Sequence, residues 1–116
     1  MERCEQLWNN GPRYLWDEHC FPPSTDSFLL AAYPPLKRGE KVCDLGAGAG
    51  LLGVLLLSRE PSVSVVGIEK EEHACAMMRR NAVENHLNLT AVQGDLRDRD
   101  ILPQRQSFDL VITNPP

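Results

Sequence analysis

Long apolar runs are missing from this 116-residue chain. The longest, around Leu51 to Leu57, falls far short of the ~20 residues that a membrane-spanning helix needs, and the acidic opening Met1-Glu2-Arg3-Cys4-Glu5 is not a signal peptide. The chain therefore reads as soluble and cytoplasmic. Clustered basic charge is scarce too, with thin groups at Lys37-Arg38, Lys41, Arg79-Arg80 and Arg97-Arg99-Arg105 in a chain of net charge −4. That balance argues against a dedicated polyanion surface. Cys4, Cys20, Cys43 and Cys75 show no paired spacing, and His19, His73 and His86 have no partner at ligand spacing, so neither a metal centre nor a disulfide framework is expected. Cys43 falls in a strand where a small apolar side chain is wanted. Repeats and low-complexity tracts are also missing, and 116 residues at 42% hydrophobic can build one core and not two.

What is present is an alternation of strand and helix hinged on one turn. A short apolar strand, Lys41 to Leu45, runs into glycines at 46, 48 and 50, then into the helical-looking Leu51 to Ser58. This is the arrangement that brings backbone close to a nucleotide-like cofactor at the carboxyl edge of a parallel sheet. Gly48-x-Gly50-x-x-Gly53, with Glu69 about 20 residues further on, also fits the dinucleotide fingerprint. Asp44 separates the two cofactor classes. A pyrophosphate site has little use for an anion two residues before its first glycine, whereas S-adenosylmethionine carries a sulfonium and an ammonium that a carboxylate favours.

Further strands are expected at Val63 to Ile68, Leu89 to Gln93 and Phe108 to Thr113, with a helix from Glu71 to His86 that turns Ala74, Cys75, Met78 and Ala82 toward the sheet. Acidic residues thus follow strands one, two and three of the core. In this register the glycine turn (Gly46, Ala47, Gly48, Gly50) and Asp44 meet the cofactor, Glu69, with Lys70 beside it, holds the ribose diol, and Asp95 accepts from the adenine amine while the Leu96 backbone addresses the ring. Any one of these carboxylates taken singly is a solvated strand end or a helix cap. Three in order, with the glycines, point to a site.

The fourth strand runs into Asn114-Pro115-Pro116. An amine on an adenine ring or a carboxamide has a delocalised lone pair, poorly aimed for in-line attack on a methyl group. Two rigid acceptors, the Asn114 side-chain oxygen and the Pro115 carbonyl, would each take one N–H, orient the amine and redirect that lone pair. Pro115 biases Asn114 away from the helical region, and Pro115-Pro116 has fixed φ and no competing N–H. Alone, Asn-Pro reads as a turn ending a strand. Downstream of the glycine turn it reads as the catalytic acceptor set.

From about Phe21 to Pro116 the chain resembles the class I S-adenosylmethionine-dependent methyltransferases of the Asn-Pro-Pro group. Within them it is most similar to the bacterial tRNA adenine-N6 methyltransferases, through Phe21-Pro22-Pro23-Ser24-Thr25-Asp26-Ser27-Phe28-Leu29-Leu30-Ala31. The resemblance implies that Ser24, Asp26 and Ser27 lie near the cofactor. Read from the residues alone, Ser24, Thr25 and Asp26 are equally well explained as caps of a short helix stopped by Pro34-Pro35. The implied fold is α/β, a Rossmann-like doubly wound, mostly parallel sheet whose strands, counted from Lys41, order as 3-2-1-4. Residues 1–40 are expected to pack as a turn-and-helix segment on a core at 41–116, with Trp8 and Trp16 covering the amino-terminal helix rather than stacking on bases.

In this family an aromatic residue and three more strands follow Asn-Pro-Pro, so the sequence resembles the cofactor-binding half of a longer enzyme. Three readings follow. One is an amino-methyltransferase acting on adenine in tRNA. Another keeps the chemistry with a release-factor glutamine or a ribosomal RNA guanine as substrate, although the glutamine enzymes carry a larger leading domain than residues 1–40 allow. The third is a cofactor-binding fragment without turnover, pairing with a second copy through the open edge of its fourth strand.

Overall fold

The computed structural model describes residues 1–20, 22–98 and 107–114. Two strands come first, β1 (Arg3–Gln6) and β2 (Arg13–Trp16), followed by α1 (Thr25–Ala32). Then β3 (Lys41–Leu45), α2 (Leu51–Arg59), β4 (Ser64–Glu69), α3 (Glu72–Glu84), β5 (Leu89–Gln93) and β6 (Leu110–Thr113) alternate strand with helix until the last step. The four later strands form one parallel sheet ordered β5-β4-β3-β6, which is the expected 3-2-1-4 counted from Lys41. Its register sets Leu45 against Ile68 and Thr113, and Glu69 against Gln93. The carboxyl ends of all four strands therefore form one rim.

Both α2 and α3 pack on the sheet face that carries Val65, Gly67 and Leu89, whereas Thr90 and Val111 on the opposite face are exposed. Residues 51 to 57 of α2 are all buried, which is why that segment reads as continuous apolar sequence. α3 buries Ala74, Cys75, Met77, Met78 and Ala82 and leaves Arg79, Arg80 and Glu84 outward, as its 3.6-residue period predicts. It ends at Glu84 with Asn85 as C-cap, short of the expected His86, because His86 takes a left-handed φ of 53°. The carboxyl end of α1 is closed by Arg59, whose guanidinium donates to Ala31 O (2.9 Å) and Pro34 O (2.5 Å).

The amino-terminal region holds one element more than the sequence suggested. β1 pairs antiparallel with β2 around a turn closed by Leu7 N donating to Pro12 O and Gly11 N to Trp8 O. All four β1 residues are exposed, so the strand carries no alternating apolar signal. Trp8 packs edge-on against Phe28 of α1, with ring centroids 6.5 Å apart. Tyr14, Leu15 and Ala31 join the same apolar core as the sheet.

Close packing at the centre of the sheet makes a stability test available. A Cβ at Gly67 of β4 would lie 2.4 Å from Met78 Sδ and 3.0 Å from Ala47 Cβ, so α3 and the glycine turn both press on that position. Gly67→Ala is expected to lower the free energy of unfolding by about 1–3 kcal/mol, the usual cost of overpacking. An unchanged urea midpoint would show that the contact yields freely.

Candidate functional site

The turn after β3 is left-handed at three alternate glycines, with φ of 70° at Gly46, 59° at Gly48 and 92° at Gly50. Open space lies where a Cβ of Gly46 or Gly48 would be, while one at Gly50 would meet Met78 Cγ at 2.7 Å. The first two glycines thus bare backbone to a cleft and the third lets α2 begin against α3. Ala47 N donates to Ile68 O (2.9 Å), and Gly48 N donates to Glu69 Oε1 (2.9 Å). Glu69 Oε2 accepts from Glu71 N (2.7 Å). One carboxylate therefore fixes both the glycine turn and the start of α3.

Asp44 is 1% exposed, and neither carboxylate oxygen has a hydrogen-bond partner. Burial, with a smaller push from Glu69, raises its pKa from 3.8 to about 7. A buried polar group without a partner is costly, and this one opens onto the cleft together with Gly46, Ala47, Gly48, Ser27 and Asn114.

Ser24 is the N-cap of α1, its Oγ accepting from Ser27 N (3.2 Å), so the capping reading holds for that residue. Ser27 is 5% exposed, and its Oγ accepts from Asn114 Nδ2 at 3.3 Å. This bond joins α1 to the end of β6. Asp26 is exposed in the first turn of α1, where a carboxylate complements the helix dipole, and it does not line the cleft.

Past β5 the arrangement is different. Asp95 is forked by Arg97, which reaches it through Nε (3.1 Å to each oxygen), Nη2 (2.6 Å) and its backbone N–H (2.9 Å). Lys70 Nζ stands 4.0 Å away. Hydrogen bonds from Arg97 hold the Asp95 pKa well below the carboxylate range. Leu96 is 52% exposed beside it. Asp95, Lys70 and Leu96 thus form a second group on the rim, apart from the Asp44 cleft. Pro115, Pro116 and Phe21 lie outside the described residues.

Three residues escaped the sequence reading. Tyr14 of β2 is 1% exposed and lines the Asp44 cleft. Asn81 is fully buried on the apolar face of α3, and a polar residue in the stripe of Met78 and Ala82 was the available signal. Asp17, also buried, accepts a hydrogen bond from His73 Nε2 and from His19 N (2.9 Å). Burial raises the Asp17 pKa, but these bonds outweigh it and hold the carboxylate below its ordinary value. Among the described residues no three His, Cys, Asp or Glu side chains are grouped to hold a metal, and no helix is long and apolar enough to cross a membrane.

A parallel sheet with a glycine turn, a buried carboxylate and an asparagine converging on its carboxyl rim defines a nucleotide-cofactor fold of the methyltransferase kind. Residues 24–116 match the family described as Methyltransferase small domain, and the chain belongs to that family. It is similar to the tRNA1(Val) (adenine(37)-N6)-methyltransferase of Shewanella sp. strain MR-4, with 36% identity over 107 residues covering 89% of this chain and 45% of that protein. The enzyme of the same name from Klebsiella pneumoniae strain 342 is 35% identical over 95 residues, 79% of this chain and 38% of its own. The chain spans less than half the length of these curated relatives. Among solved structures it resembles the Thermus thermophilus 16S rRNA N2 G1207 methyltransferase in complex with AdoMet and guanosine (TM-score 0.74, 25% identity, 100% of this chain and 33% of that one). It also resembles the Pyrococcus abyssi tRNA (uracil-54, C5)-methyltransferase in complex with S-adenosyl-L-homocysteine (TM-score 0.74, 26% identity, 99% and 28%).

The electrostatics of Asp44 set a pH test. Its folded-state pKa is raised, so between about pH 4 and pH 7 the folded chain keeps a proton that the unfolded chain releases. This group's contribution to stability is therefore full below pH 4 and is lost as pH rises toward 7. Asp44→Asn is expected to gain stability over the parent chain as pH rises from 5 to 8, read from urea unfolding at both values. Parallel curves for the two chains would contradict an uncompensated buried carboxyl.

Proposed function

We propose that this chain is the S-adenosylmethionine-binding part of an N-methyltransferase, and that the parent enzyme methylates the exocyclic amine of adenine in tRNA. The observation that carries the cofactor reading is Asp44, buried with two unpartnered oxygens beside open glycine backbone. The ammonium of the cofactor's methionine end would give those oxygens donors and favour the ionised form. When bound, the cofactor supplies an electrophilic methyl group, and the chain's own residues hold and aim its partners.

Glu69 uses one lone pair of each oxygen on backbone N–H groups, leaving the others to accept from ribose hydroxyls. Asp95 reaches the adenine amine by yielding one of its Arg97 bonds, with Leu96 beside the ring and Lys70 compensating charge. Asn114, with Nδ2 engaged by Ser27, has its oxygen left for the target amine, and the Pro115 carbonyl is the second acceptor. Pro116 stiffens that pair. Residues 1–40 act as a covering segment on the core at 41–116.

Adenine in tRNA as the substrate rests on the relatives' names, and a cytoplasmic place of action goes with it. Guanine N2 of ribosomal RNA is the second reading, favoured by the likeness to the 16S rRNA enzyme and presenting the same planar amine. Pairing with a second copy through the edge of β6, where Val111 is 55% exposed, is part of the proposal for the isolated chain. A compact monomer in sedimentation at micromolar concentration speaks against that pairing.

Labelled methyl transfer by the full-length parent to total tRNA, ribosomal RNA and release factor is the direct test. Label on tRNA alone supports the first reading, and label confined to either other substrate overturns it. In that parent, Asn114→Ala is expected to lower turnover on the order of 10²-fold with cofactor affinity nearly intact. Glu69→Ala is expected to weaken cofactor binding by roughly 1.5–3 kcal/mol, the range for bonds to a charged group. Normal turnover of the Asn114 variant would reduce Asn-Pro-Pro to a turn.

A further inference from the structure

Asn81 of α3 and Asn85, its C-cap, are four residues apart, about 6 Å along the helix axis, and alternate residues of a strand are spaced about 6.7 Å. The two carboxamides match that spacing on β2. Asn81 Oδ1 accepts from Leu15 N (2.7 Å) and its Nδ2 donates to Leu15 O (3.0 Å). Asn85 repeats the pattern on Arg13, accepting from its N–H (3.0 Å) and donating to its carbonyl (2.7 Å). The pair thus binds the edge of β2 as a neighbouring strand would, while β1 holds the other edge.

Asn81 does one thing more. Its second N–H donates to Ala49 O of the glycine turn at 2.8 Å. Both N–H groups and the oxygen of this buried carboxamide are bonded, and each bond ties α3 to β2 or to the glycine turn. Between the two clamped residues, Tyr14 projects into the cleft that holds Asp44 and Asn114. Burial above all, then Cys20 and Asp44, pushes the Tyr14 phenol above its ordinary pKa.

The sheet order places this wall at one end of the cofactor. Asp44 and Asn114 stand at the carboxyl ends of the adjacent strands β3 and β6, whereas Glu69 and Asp95 stand at those of β4 and β5. A ligand lying along the rim puts its adenosine over the second pair and its charged methionine end over the first. An aromatic ring lining the same cleft as a carboxylate suits a cation there.

We propose that Asn81 and Asn85 are positioning residues for the cofactor site, clamping β2 onto α3 so that Tyr14 forms the wall against which the methionine end of S-adenosylmethionine packs. This rests on the cofactor reading above. The test is calorimetric binding of two ligands to the chain and to its Asn85→Ala and Tyr14→Leu variants: S-adenosylhomocysteine, which has the amino-acid end, and 5′-methylthioadenosine, which lacks it. Each variant is expected to bind S-adenosylhomocysteine about tenfold more weakly and 5′-methylthioadenosine within about twofold of the parent chain. Asn85 lies at the helix end outside the apolar core, so its variant keeps the test open if Tyr14→Leu fails to fold. Equal losses for both ligands, or no loss for either, would overturn the clamp while leaving the cofactor reading intact. A parent chain that binds neither ligand overturns the cofactor reading itself.

Discussion

A carboxylate buried at the rim of a parallel sheet, with nothing to accept from, is the constraint around which this structure is arranged. Asp44 sits in β3 between Cys43 and Leu45, flanked by β4 and β6, and its carboxylate is buried in a cleft that Tyr14, Leu51 and Leu52 also line. Leaving such a group unpaired costs stability and raises its affinity for a proton or a cation. Burial in that place favours a ligand that brings positive charge through the one open side. The glycine turn keeps that side open, since Gly46 and Gly48 have no side chain to fill it.

Rigidity around the cleft comes from polar bonds with few redundant members. Glu69 holds the turn from β4, Asn81 holds it from α3, and Ser27 holds Asn114 from α1. Each bond crosses between elements distant in sequence, so the site exists only when the whole α/β layer is assembled. The apolar contacts beneath it, Met78 against Gly50 and Gly67 above all, set the spacing at which those bonds can form.

The sheet order was implied by the family resemblance, whereas the strands themselves were legible because Lys41–Leu45, Ser64–Glu69 and Leu89–Gln93 are short apolar runs bounded by glycine or acidic residues, and α3 keeps a clean helical period. The cleft was legible for the same reason. Asp44, the glycines and Asn114 stand at strand ends, where the chain's own punctuation marks them. The β1 strand was not, since an exposed edge strand pairs through its backbone and leaves no trace in side-chain pattern. Tyr14 and Asn81 were missed because their roles depend on how the hairpin docks, a long-range event that local period does not encode. Asp95 lies just past β5, and its Arg97 fork, set by a turn two residues long, was not foreseen.

The most direct test of the central claim is calorimetry of this chain against S-adenosylhomocysteine, S-adenosylmethionine and NAD, each with the parent sequence and with Asp44→Asn. The account predicts binding of the two sulfur cofactors, no measurable NAD binding, and a loss of affinity for both on neutralising Asp44. Tight NAD binding with none for either sulfur cofactor, or affinities indifferent to Asp44, would contradict it.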